Sequence, residues 1–187
     1  MNTQNLELRM YGLVPYNISP IQQGIQFGHA VVEYGLTLGN TDEYQKWANE
    51  DKTFIILNGG TTNDSPDITT GEYKGTLNQH KETLKINGVT VASFYEPDLG
   101  DQLTAVVFLV DERVFNRKDY LDFEDWLFEN YKDYLNVKGS KNAYQIAQEV
   151  INSKSKHDRE VYQQWVNMIG GEKNVFLRQF LKNFRLA

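Results

Sequence analysis

The spacing of apolar and polar positions changes near Arg113. Before it the chain carries short β-like runs. Leu8-Arg9-Met10-Tyr11-Gly12-Leu13-Val14 precedes Pro15, and Thr53-Phe54-Ile55-Ile56-Leu57 precedes Asn58-Gly59-Gly60. Val89-Thr90-Val91-Ala92-Ser93-Phe94 and Thr104-Ala105-Val106-Val107-Phe108-Leu109-Val110 follow. Runs of this length closed by turn residues read as strands. The second, apolar without a break, reads as a strand buried on both faces. Helical stretches separate them. Ser19 is an N-cap with Pro20 at the first helical position, where a missing N–H costs nothing, so a helix is predicted through Gln22, Gln26, His29 and Val32 to Gly35. Thr41 opens a second helix reaching about Asn49, and a third is expected from about Gly75 to Lys85. The Thr-, Asp-, Asn- and Gly-rich stretch from Thr61 to Gly75 reads as a loop or insert.

Beyond Arg113 only helical periodicity remains. Phe123, Trp126, Leu127, Tyr131 and Tyr134 recur at three- and four-residue steps, as do Ala143, Ile146, Ala147 and Val150. Val161, Trp165 and Met168 form another face, ended by Gly170-Gly171. Phe176, Phe180 and Phe184, flanked by Leu177 and Leu181, form the last. The pattern predicts an α/β domain over 1–113, with an insert at about 61–75, and a helical extension over 114–187 packed on it.

Charge divides at the same place. The 187 residues carry a net charge of -6, but the part through Arg113 has 7 basic and 15 acidic residues, while the remainder is slightly basic. An acidic surface repels phosphate, so broad polyanion binding by the α/β part is not expected. The chain has no cysteine and 3 histidines (His29, His80, His157), which removes disulfides, thiolate zinc sites, cysteine nucleophiles and a multi-histidine cage. No cofactor or metal is expected. No run approaches the ~20 apolar residues of a membrane span, and the N-terminus lacks the charged-then-apolar order of a signal peptide. No membrane partner is expected, and the expected location is a cytoplasm.

Two motifs carry a resemblance. The first helix reads Ser19-Pro20-Ile21-Gln22-Gln23-Gly24-Ile25-Gln26-Phe27-Gly28-His29-Ala30, and the approach to the last strand reads Glu96-Pro97-Asp98-Leu99-Gly100-Asp101-Gln102-Leu103-Thr104-Ala105. The chain resembles the second class of peptidyl-tRNA hydrolases, the archaeal and eukaryotic type. Their first helix carries a lysine and then Gln-x-[Ala/Gly]-His-Ala, and an Asp-, Gly- and Gln-containing loop precedes their last strand. Trp47 ahead of the strand at Thr53 fits the same pattern. The resemblance covers about Leu8 to Glu112. It implies a mixed four-stranded sheet with helices on both faces, and cleavage of the ester joining a peptide to the 3′ ribose of tRNA.

Ester hydrolysis needs an oriented water, a proton acceptor, and a donor or cation for the oxyanion. On the resemblance, Asp98 supplies the base or orienter, the Thr104 hydroxyl positions water, and Gln26, Gly100 and Gln102 contact substrate. Gln22 stands where the family has its lysine. An amide donates hydrogen bonds but supplies no positive charge, and His29 is the natural substitute on the same helix face. Two readings stay open: a hydrolase working through Asp98, Thr104, His29 and Gln22, or an accessory protein that binds tRNA, a nucleotide or a protein partner through the same cleft or the C-terminal helices. The bland counterparts are a structural His29 and an acidic loop of Glu96, Asp98 and Asp101 whose carboxylates cap backbone N–H groups. In the tail, Lys173, Arg178, Lys182 and Arg185 read as the solvated side of a helix whose Phe stripe packs inward.

Overall fold

Four of the apolar runs assemble into one mixed sheet: β1 (Leu8–Val14), β2 (Thr53–Asn58), β3 (Ala92–Glu96) and β4 (Gln102–Asp111), in the order β2-β1-β4-β3. β1 is parallel to β2 and antiparallel to β4, which is antiparallel to β3. These relations come from a computed structural model, which describes residues 6–62, 69, 76–132 and 142–187. Two compact units are present, Met1–Glu112 with Gln179–Ala187, and Arg113–Arg178.

In the first unit, a parallel β1–β2 pair requires a crossover, which α1 (Pro20–Leu38) and α2 (Asp42–Lys46) provide, the latter running on through a π-helical turn, Trp47–Asp51. Lys52 ends that turn in a left-handed conformation with φ 50°. Asp51 then ties the turn to the sheet: its carboxylate accepts from Lys46 Nζ at 2.6 Å and from the Leu8 N–H at 2.8 Å.

α1 covers one face of the sheet. Phe27, Ala30 and Tyr34 pack with Met10, Val14, Ala105 and Val107, and Trp47 closes the cluster. Gly12 makes this possible, because a Cβ there would overlap the Phe27 ring. α3 (Thr76–Ile86) takes the other face, where Leu77 and Leu13 converge beside Gly59. β4, central and covered on both faces, is buried throughout Leu103 to Val110.

Three differences from the sequence expectations have physical causes. β2, expected to be buried on both faces, lies at the end of the sheet, and Phe54 is 51% exposed. Its outer edge is met by the C-terminus: the Asn58 N–H donates to the Arg185 carbonyl at 2.9 Å and the Ala187 N–H to the Ile56 carbonyl at 3.0 Å. Residues Gln179–Ala187 therefore belong with the α/β unit rather than with a separate extension; unpaired edge amides are the force that recruits them. The run from Val89 enters the sheet only at Ala92. Gly88, at φ 74°, caps α3, and the Val89 N–H is spent on the Leu84 carbonyl at 3.0 Å. Most of the stretch between Thr61 and Gly75 lies outside the described residues, as does Tyr134.

The second unit is helical: α4 (Glu112–Phe115) leads into it, and α5 (Phe123–Asn130), α6 (Ala143–Asn152), α7 (Lys156–Met168) and α8 (Glu172–Phe180) follow. Phe123, Leu127, Ile146, Val150, Val161 and Trp165 form its core, as their helical spacing predicts. α7 ends at Gly170 and Gly171, both at positive φ, with the Gly171 N–H returning to the Val166 carbonyl at 2.8 Å. Arg178 corrects the solvated-face expectation. It is 1% exposed, and its guanidinium donates to the Asp122 carboxylate at 2.7 Å and to the Arg113 and Tyr120 carbonyls at 2.7 and 2.8 Å. Its acidic partner lies 56 residues upstream, beyond the reach of a local reading of the helix.

Candidate functional site

The site grows from the first turns of α1. Ser19 is the N-cap, and its hydroxyl accepts from the Gln22 backbone N–H at 3.3 Å, while the Gln22 side-chain oxygen accepts from the Ser19 N–H at 3.1 Å. This reciprocal capping box satisfies two N–H groups that the helix itself cannot. Gln22 is thereby committed at its oxygen to the start of the helix. The signal was local: Ser-x-x-Gln is the capping-box spacing.

One turn further on, Gln26 turns inward. The buried Thr104 hydroxyl donates to Gln26 Oε1 at 2.7 Å, and Gln26 Nε2 donates to Glu96 Oε2 at 2.6 Å. Thr104 is 0% and Gln26 7% exposed, so the bond between them is shielded from water, while the bond to the half-buried Glu96 is partly so. The Phe94 carbonyl lies 3.4 Å from the same hydroxyl, a weaker second acceptor. A single amide thus joins α1 to the centre of β4 and the end of β3.

Glu96 also organises the loop that follows. It caps the 3₁₀ turn Pro97–Leu99, with its other carboxylate oxygen 3.4 Å from the Asp98 N–H. Its carbonyl accepts from the Asp101 N–H at 3.0 Å, and the Gly100 N–H returns to the Pro97 carbonyl at 3.0 Å. Gly100 at φ 70° and Asp101 at φ 58° are both left-handed, which gives Gly100 a backbone reason to be glycine. Gln102 pairs with Glu96 across the strands. Asp98 is exposed at the tip. His29, one turn beyond Gln26, is exposed and stacks on Phe94, with ring centroids 4.5 Å apart and planes 19° from parallel.

Of the sequence-derived site residues, the structure therefore links Gln26 and Thr104 directly, through an amide that also holds Glu96. Gln22 and His29 make no hydrogen bond to that group among the described residues, and Asp98 reaches it through its backbone N–H, 3.4 Å from the Glu96 carboxylate. Glu96 and Phe94 are the residues that sequence reasoning did not place in the site. Glu-Pro-Asp at a strand's end signalled a cap, but nothing local pointed across 70 residues to Gln26. Among the described residues, no group of three or more His, Asp or Glu side chains is placed to hold a metal ion, and no helix is long and apolar enough to cross a membrane.

Chemically, the group holds one carboxylate, one amide and one hydroxyl, with no lysine or arginine joined to it among the described residues. The Thr104 proton is directed at Gln26, the Gln26 amide keeps its second N–H, and Glu96 and Asp98 remain proton acceptors. On the other flank of α1 lies an apolar cavity of about 320 Å³ lined by Gly24, Phe27, Gly28, Val31, Phe54 and Ile56, which offers no acid, base or cation. Fold and site together define an α/β protein with a four-stranded mixed sheet and a helix-to-strand polar relay at the mouth of β3 and β4. No family model matches the chain, and no curated protein matches it in sequence.

Proposed function

We propose that this chain is a peptidyl-tRNA hydrolase-like protein that has given up ester cleavage and uses the acidic surface of Glu96, Asp98 and Asp101 beside Gln26 to bind a protein partner. The observation that carries this reading is the commitment of Gln22. The residue at the lysine position is an uncharged amide whose oxygen closes the helix cap, and a missing charge-assisted oxyanion contact lowers rates by about 10²–10³. The mixed sheet with α1 and α3 on opposite faces supports the likeness to the family. The acidic residues Glu96, Asp98 and Asp101 around the mouth favour donors and cations over phosphate. A peptide segment presenting an amine or guanidinium fits that chemistry better than the acceptor end of tRNA.

Incubation with a peptidyl-tRNA analogue tests the first half. The expected result is no turnover above the protein-free rate; wild-type turnover that Asp98→Asn abolishes would overturn the reading. For the second half, the Gln26 side-chain amide signals in an NMR titration should move with a short arginine-rich peptide and stay fixed with a 3′-CCA oligonucleotide. The reverse outcome restores the RNA cleft.

A further inference from the structure

β3 ends the sheet, and among the described residues nothing pairs with its outer edge. α1 packs on one face of β3 through Ala92 and Phe94. On the other face α3 brings Lys81 Nζ to 2.7 Å from the Tyr95 hydroxyl. A cavity of about 300 Å³ is lined by Glu33 and Thr37 of α1, by Lys81 and Lys85 of α3, and by residues of β3 between them. Helices on opposite faces of a sheet line one cavity only where the sheet stops. The cavity is therefore a groove along the open edge, with backbone at its floor and a wall of opposite charge on each side.

An open edge offers alternate N–H and C=O groups to an extended chain. The walls match the geometry of such a chain. Residues four apart on a helix are about 6 Å apart along its axis, so Lys81 and Lys85 form one row and Glu33 and Thr37 another. Side chains two apart on a strand are about 6.7 Å apart and share a face, while the intervening one points the opposite way. We propose that the groove accepts an extended segment of a partner protein as an added strand beside β3. Acidic side chains at positions i and i+2 of that segment meet Lys85 and Lys81, and a basic side chain at i+1 meets Glu33.

Glu82 lies 3.4 Å from Lys81 and 3.6 Å from Lys85, so it tempers the lysine row without using all of its ammonium protons. A second copy of this chain fits poorly. Antiparallel pairing of two β3 edges about a two-fold axis normal to the sheet sets α3 beside α3 and lysine beside lysine. This inference is independent of the function proposed for the surface beside Gln26.

The test titrates the full chain, ¹⁵N-labelled, with the acetylated and amidated peptide Thr-Glu-Arg-Glu-Thr-Val up to millimolar concentration. The amides of Ala92, Ser93 and Phe94 should shift, and Lys85→Glu should weaken binding roughly fivefold, as expected for exposed ion pairs. The peptide is also N-methylated at one or the other alternate set of its amides. Because only one set faces β3, one version should lose binding and the other keep it. Three outcomes overturn the proposal: no shift on β3, equal behaviour of the two N-methylated peptides, or concentration-dependent pairing of the β3 edges without peptide.

Discussion

Replacing Gln26 should cost more stability than its small exposed area suggests, because its amide satisfies two partners at once. Gln26→Leu keeps a side chain of similar bulk, though one atom shorter, and adds no polar group, so the loss reflects hydrogen bonding more than volume. The bond from Thr104, 2.7 Å and neutral, contributes about 1 kcal/mol, and the bond to the Glu96 carboxylate, 2.6 Å and charge-assisted, about 2 kcal/mol. The Thr104 hydroxyl keeps only the Phe94 carbonyl at 3.4 Å, so little of the loss is recovered. The expected penalty is roughly 3 kcal/mol. Thr104→Val leaves Gln26 Oε1 unpaired and should cost roughly 1 kcal/mol. The double variant should fall short of the sum by about 1 kcal/mol, because each change removes the same bond. Two compact units make whole-chain unfolding a poor measure. Native-state amide exchange at Val106, Val107 and Phe108 of β4 reports the α/β unit directly. Additive effects of the two substitutions, or a Gln26→Leu penalty below about 0.5 kcal/mol, would refute the relay.

Gly12→Ala should destabilise the same unit by roughly 1–3 kcal/mol, because the new methyl overlaps the Phe27 ring, and adding Phe27→Leu should recover part of that loss in the same exchange measurement. His80 sits edge-on to Phe180 and Phe184, at centroid distances of 5.7 and 4.9 Å, and burial lowers its pKa. The folded state therefore holds the neutral ring in a range where the unfolded chain takes up a proton. Stability should fall as pH drops below the unfolded histidine value of about 6.5, and His80→Gln should flatten that part of the profile relative to wild type.

How legible each part was depended on whether its cause lay nearby in the sequence. The strands at Leu8, Thr53 and Thr104, the start of α1 and the core of the helical unit follow from periodicity and caps, which act over a few residues. Burial of β2 did not follow, because an unbroken apolar run is the same whether a strand ends at the centre of a sheet or at its side; strand order decides that. The fate of Arg178 depended on Asp122, and the C-terminal residues were recruited by a strand more than a hundred positions earlier. Gln26 and Thr104 were named singly in the sequence, whereas their bond and the part played by Glu96 came from the packing of α1 across β3 and β4. Gln22 was the exception in the other direction: its capping role was written locally in Ser19-Pro20-Ile21-Gln22.

That capping role bears on what the site can do. α1 presents two glutamines one turn apart, and both are engaged at their oxygens, Gln22 by the helix cap and Gln26 by Thr104. What the pair can still offer a ligand is N–H, while Glu96, Asp98 and Asp101 offer carboxylate. Gln22→Lys would add a cation and at the same time remove the side-chain half of the capping box; Ser19 would keep its bond to the backbone N–H at position 22. Adding charge there therefore trades against order in the first turn, which would have to hold the new ammonium in place. A glutamine pair held at its oxygens beside Glu96, Asp98 and Asp101 is better arranged as a fixed, acidic recognition surface for donors and cations than for charge stabilisation in a transition state.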